Sequence, residues 1–81
     1  MYYVYLIVSK VKKKSISYVG YTNNIYKRLN LHNIGKGAKF TKGKKWKLIY
    51  KKTFSTKSEA MKYEHVLKFD RKTREKIKKI I

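Results

Sequence analysis

The chain has 81 residues and carries 23 Lys and Arg against four Asp and Glu, a net charge of +19. That length allows one domain, over residues 1–81, with a small core; the absence of cysteine excludes disulfides and thiolate zinc sites as sources of stability, so a metal would be held by oxygen. The basic residues are spread among 42% hydrophobic residues with eight tyrosines, which excludes a disordered basic arm and points to a folded body that binds an anionic polymer, nucleic acid first.

Residues 2–8, YYVYLIV, form an uninterrupted apolar and aromatic run, the pattern of a strand covered on both faces and central in its sheet. The run is too short for a membrane span and lacks the flanks of a signal peptide. The expectation is therefore a soluble intracellular protein, cytoplasmic or nucleoid-associated, with no membrane partner. Along the strand Tyr3, Tyr5 and Ile7 face one way and Val4, Leu6 and Val8 the other. A polar, lysine-rich loop over Ser9–Ser15 leads to a second strand, Ile16–Tyr21, in an antiparallel hairpin. Gly20 on that strand reads either as a point of close approach for a backbone or ligand, or as a strand-end bend.

Thr22 or Asn23 is placed to cap a helix running to about Asn33, and Gly35 to end it in a left-handed conformation. Ile25, Leu29 and His32 follow the i, i+4, i+7 spacing of a buried stripe, with Arg28 on its border. Arg28 and His32, four residues apart, share a helix face and are expected together in a half-buried cleft. The loop Gly35–Lys45 carries Lys36, Lys39, Lys42, Lys44 and Lys45 among glycines, the composition of a flexible segment that contacts phosphate. Its glycine spacing and Lys45 exclude a nucleotide-binding P-loop.

Trp46–Lys52 alternates Trp46, Leu48 and Tyr50 and predicts a third strand. Thr56 to Glu59 fits a capping box opening a helix to about Phe69, on which Ala60, Tyr63, Glu64 and Leu67 fall together. Asp70 is placed to cap a last short helix, and Glu75 to pair with Lys79. Of the four acids, only Glu64 is left without an ordinary structural role. The fold class is α+β, a small three-stranded antiparallel sheet flanked by helices.

Tyr5 and Tyr18 on adjacent strands, Arg28 and His32 on one helix and Glu64 on another suit phosphodiester hydrolysis. That reaction needs a base for water, positive charge for the transition state and a divalent ion for the leaving oxygen. One carboxylate suffices for magnesium when phosphate and water fill the other positions. The plainer reading is structural: core tyrosines, a satisfied buried histidine, and Glu64 paired with Arg28.

The order Val4-Tyr5-Leu6, Tyr18-Val19-Gly20, Arg28, His32, Glu64 resembles the GIY-YIG nuclease superfamily. The run NIGKGAKFTKG from Asn33 to Gly43 is similar to the loop of its short stand-alone, single-domain members. The first tripeptide departs from the family pattern at the Gly and Ile positions and retains Tyr5. The resemblance implies a metal-dependent endonuclease hydrolysing phosphodiester bonds in DNA. In it Tyr5 and Tyr18 orient or deprotonate water, Arg28 holds phosphate, His32 assists proton transfer and Glu64 binds Mg2+ or Mn2+. Larger members carry a separate DNA-binding module. Here the basic surface, with Lys36, Lys39, Lys42, Lys44 and Lys45, would replace it and read substrate structure rather than sequence, unless a protein partner supplies that choice. The competing expectation is a non-catalytic basic DNA- or RNA-binding protein on the same fold, which the altered tripeptide favours.

Overall fold

Strand β1 (Tyr2–Val11) is the middle of a three-stranded antiparallel sheet in the computed structural model, which describes residues 1–80; β2 (Lys14–Thr22) and β3 (Lys47–Phe54) are its neighbours. A strand apolar on both faces needs cover on both. Helix α1 (Ile25–Asn33) covers the face of Tyr5 and Ile7, while α2 (Lys57–Phe69) and α3 (Arg71–Ile80) cover that of Val4 and Leu6. Val19, Ala60 and Leu67 complete the second core; Trp46, with Leu29 and Leu48 against it, completes the first. The result is the α+β class read from the sequence. Among the described residues no helix is long and apolar enough to cross a membrane.

The expected Ser9–Ser15 loop is strand almost throughout. Pairing continues to Val11 opposite Lys14, which leaves Lys12 and Lys13 as a two-residue turn. Tight hairpin turns place linking residues at positive φ, and Lys12 takes a φ of 59° without being glycine. On β3, Tyr50 pairs with Leu6 but Leu48 pairs with Ile7, so Ile49 is an extra residue in the ladder, a β-bulge. Trp46, Leu48 and Tyr50 therefore do not share a face. Trp46 and Leu48 pack beside Tyr5 and Ile7, whereas Tyr50 packs on the Val4–Leu6 side, its hydroxyl 2.9 Å from that of Tyr63.

Capping residues set the helix ends. Asn24, not Thr22 or Asn23, is the N-cap of α1: Lys27 N–H donates to its side chain at 3.1 Å, and Asn24 N–H donates to Thr22 Oγ1 at 3.2 Å. At the other end Gly35 takes a φ of 82°. Lys36 N–H donates to the Leu31 carbonyl at 2.8 Å and Gly35 N–H to that of His32 at 3.2 Å, closing the helix in a Schellman motif. Thr56 caps α2 by accepting the Glu59 N–H; its hydroxyl then donates to the Glu59 carboxylate, which does not reach back to the backbone as a full capping box would. Asp70 caps α3 by accepting the N–H and hydroxyl of Thr73. Glu75 pairs with Lys78 at 3.4 Å rather than with Lys79.

Candidate active site

Tyr5 and Gly20 face each other across the β1–β2 ladder. The Tyr5 ring lies against Gly20 so closely that an added Cβ would collide with the phenol hydroxyl. Gly20 is thus a point of close approach rather than a bend, since β2 continues to Thr22. Crossing Gly20 brings the Tyr5 hydroxyl to His32 Nε2 at 2.8 Å, and His32 Nδ1 lies 2.8 Å from Thr41 Oγ1. His32 and Thr41 are both 0% exposed.

The hydrogen-bond network assigns the protons in this buried chain. Thr41 Oγ1 donates to the Ala38 carbonyl at 3.0 Å and accepts the Ala38 N–H at 3.2 Å. A hydroxyl has one proton, so Thr41 meets His32 as an acceptor and Nδ1 carries the hydrogen. Nε2 is left to accept from Tyr5 O–H. Burial, then the nearby Arg28 charge, holds His32 below its ordinary 6.5, which keeps the ring neutral. Burial pushes the Tyr5 phenol up to about 12; Arg28 opposes the rise, and Tyr18 and Glu64 add to it.

In front of this chain an open cleft of about 420 Å³ wraps the edge strand β2. Tyr5, Tyr18, Arg28 and Glu64 all line it. Arg28 is half-buried, and its Nε is buried without a hydrogen-bond partner among the described residues, an orphan donor that calls for an anionic acceptor. Glu64 is half-buried too. Among the described residues it forms no ion pair with Arg28, so the plainer expectation for Glu64 does not hold. No cluster of three or more His, Cys, Asp or Glu occurs among the described residues. One uncommitted carboxylate fits a hard ion such as magnesium, which retains water and takes phosphate oxygens for its remaining positions.

Arg28 and His32 do not share the cleft. His32 is turned inward behind Tyr5, edge-on to the Tyr18 ring at 5.1 Å. Their spacing establishes a common helix face, but position on that face decides between interior and border. Nor do the five loop lysines line the cleft: Lys36, Lys39, Lys42 and Lys45 are exposed, and half-buried Lys44 donates to the Phe40 carbonyl at 3.1 Å.

The loop is also tied down rather than loose. The Asn33 side chain holds the Trp46 backbone N–H at 2.6 Å and its carbonyl at 3.3 Å, and the Trp46 indole donates to the Thr41 carbonyl at 2.9 Å. Gly37 leaves room for the His32 ring, since a Cβ there would meet Nδ1. Sequence reasoning missed Thr41, Gly37 and Lys57, the last lining the cleft from the start of α2. The loop string contained the first two; nothing in the sequence singled out Lys57.

An antiparallel sheet with paired tyrosines on neighbouring strands, an arginine on the helix that follows and a glutamate on the helix after β3 describes a recognisable class. The GIY-YIG catalytic domain matches residues 1–78, and the chain belongs to the GIY-YIG family. Among its relatives, a UPF0213 protein of Staphylococcus haemolyticus is 47% identical over 68 residues, 83% of this chain and 79% of the relative. A UPF0213 protein of Bacillus licheniformis is 54% identical over 61 residues, 73% and 63% of the two chains. The UPF0213 protein YazA of Bacillus subtilis is 52% identical over 52 residues, 63% and 52% of the two chains. No solved structure gives a significant match. The GIY-YIG domain defines a nuclease family, implies a nucleic-acid substrate, and generally works with divalent metal ions.

Proposed function

We propose that this chain is a magnesium- or manganese-dependent endonuclease that hydrolyses phosphodiester bonds in DNA and responds to substrate structure rather than sequence. The observation that carries the reading is Arg28, whose buried Nε has no partner among the described residues, in a cleft shared with two phenols and an uncommitted carboxylate. A phosphate there would accept from that N–H, and the planar guanidinium can hold two of its oxygens while charge develops in the transition state.

Tyr5 is the hydroxyl better equipped to activate water. As the attacking water gives a proton to Tyr5, the phenol proton passes along the 2.8 Å hydrogen bond to His32 Nε2. No free phenolate is then required of a group that titrates at about 12. Thr41 keeps the His32 acceptor nitrogen aimed at Tyr5 by holding the hydrogen on Nδ1. Among the described residues Tyr18 has no comparable relay, and it orients water or phosphate from β2. Glu64 would hold the divalent ion, which supplies positive charge to the phosphate and stabilises the leaving oxygen. Lys57 and the loop lysines attract the backbone, so log K should fall by about 0.9 per log salt for each duplex phosphate neutralised.

Incubation of pure protein with nicked, branched, single-stranded and RNA substrates, with magnesium, manganese or chelator, tests the reading. Metal-dependent DNA products, most abundant at nicks and branches, are expected. Salt-sensitive binding without products under any condition would instead leave a non-catalytic basic binder on the same fold.

A further inference from the structure

Phe40 lies in the basic loop beside the cleft, and the residue is 52% exposed. An apolar ring in water among lysines is neither core nor solvating surface, yet its surroundings hold it in place. It stacks on Tyr18 with centroids 6.2 Å apart and planes 21° from parallel, and Trp46 lies 6.3 Å away. The next residue, Thr41, is pinned by both His32 and the Trp46 indole. Lys44 Nζ sits over the Phe40 ring, 5.4 Å from its centroid, and Lys39 and Lys42 beside it are exposed. Because Tyr18 lines the cleft, Phe40 continues an aromatic surface outward from the cleft rim, bordered by ammonium groups. Interleaved rings and cations hold single strands in this way, the rings taking bases and the cations taking phosphates.

We propose that Phe40 is a stacking platform for an unpaired nucleobase of the DNA strand whose phosphate enters the cleft. Single strands, flaps and gaps would then be preferred to continuous duplex, in which each base is already covered by its neighbours and offers no face to a side chain. The inference rests on the nucleic-acid reading of the cleft, but not on the cleft being catalytic.

Binding measured without metal separates the two. The ligands are an oligodeoxythymidine, the same strand paired in a duplex, and a fully abasic strand of equal length and charge. The proteins are wild type and Phe40→Ala, Phe40→Leu and Phe40→Trp, each checked by thermal unfolding. Phe40→Ala is expected to weaken binding to the oligodeoxythymidine about tenfold, with an unchanged salt slope and unchanged duplex affinity. On the abasic strand its difference from wild type should vanish. Phe40→Trp should match wild type and Phe40→Leu should match Phe40→Ala. Should Phe40→Ala not fold, Phe40→Leu, which keeps the apolar cover, carries the test. Equal losses on strand and duplex, no loss on the strand, or a leucine that substitutes fully would overturn the proposal and leave Phe40 as a cover for Tyr18 and Trp46. If these ratios hold while no substrate is cleaved with any metal, the nuclease reading fails and the stacking site stands.

Discussion

The two faces of the sheet are built from alternate residues of one strand and have opposite character. Val4 and Leu6 enter a cluster of apolar side chains with Val19, Ala60 and Leu67. Tyr5, between them in sequence, enters a face whose interior holds His32 and Thr41, joined by hydrogen bonds of 2.8 Å. His32 and Thr41 can be buried there because each has partners. Apart from Glu64 and Lys57, which reach the cleft around the β2 edge from α2, the difference teaches that stability and chemistry are divided across β1. The α2–α3 face needs volume and apolarity, which several residues can supply; the α1 face needs particular donors and acceptors in particular directions.

The cleft residues should show the largest effect of that division. Arg28→Ala and Arg28→Lys are both expected to lower cleavage about 10²- to 10³-fold, since an ammonium group cannot replace a planar fork on two phosphate oxygens, with the thermal midpoint unmoved. Glu64→Gln should likewise keep fold and DNA binding while losing metal-dependent turnover. Normal cleavage by Arg28→Lys would reduce Arg28 to a point charge, and an unfolded Glu64→Gln would make that carboxylate structural.

On the opposite face the result should invert. Leu67→Ala, at a buried position against Val4 and Leu6, is expected to cost about 2–5 kcal/mol in denaturant unfolding with the rate per folded molecule unchanged. A lower rate per folded molecule would show that the two faces are coupled.

Within the α1 face, the two phenols can be ranked. Tyr5→Phe should lower the rate about 100-fold and Tyr18→Phe by less. Tyr18→Phe should stay near wild-type stability because the ring remains, whereas Tyr5→Phe also leaves buried His32 Nε2 without its donor and should cost about 1–3 kcal/mol. Equal losses in single-turnover rates would remove the distinction drawn from the His32 contact.

The smallest effect concerns pH. The folded His32 titrates below 6.5, so the unfolded chain binds that proton more readily. The stability it contributes is fully present above about 6.5 and declines as pH falls from there through the folded value. Asp70 is held low by the hydroxyl and N–H of Thr73 and follows the same sign in a lower window, its contribution present above 3.8 and lost on further acidification. In a plot of thermal midpoint against pH, His32→Gln should remove the upper step and spare the lower. An upper step that persists belongs to another group.

Much of the fold was legible because it depends on local pattern. The doubly apolar β1, the caps at Thr56 and Asp70 and the left-handed Gly35 each announce themselves within a few residues. Tyr5, Tyr18, Arg28 and Glu64, separated in sequence, do line one cleft. The burial of His32 was legible from its stripe, but not the direction of its ring, which depends on Gly20 admitting Tyr5. Thr41 has no period to reveal it among lysines and glycines, and its burial arises only when His32 and Trp46 close on it. Lys12 adopts its turn conformation because β1 and β2 pair up to it, a matter of register rather than composition.

The extra residue at Ile49 acts as a half-period phase shift along β3. After it, Tyr50 is in step with Val4 and Leu6; before it, Trp46 and Leu48 are in step with Tyr5 and Ile7. Because the Trp46 indole holds the Thr41 carbonyl and Thr41 holds His32, the side of the sheet on which the basic loop closes follows from Ile49 standing outside the ladder instead of pairing within it. Deleting Ile49 would leave Leu48 opposite Ile7 and Trp46 on the face of Tyr5; pairing Ile49 itself opposite Ile7, with the bulge ironed out, would turn Trp46 toward α2 and α3 and carry the loop's anchor away from Tyr5 while altering no residue of the loop or the cleft.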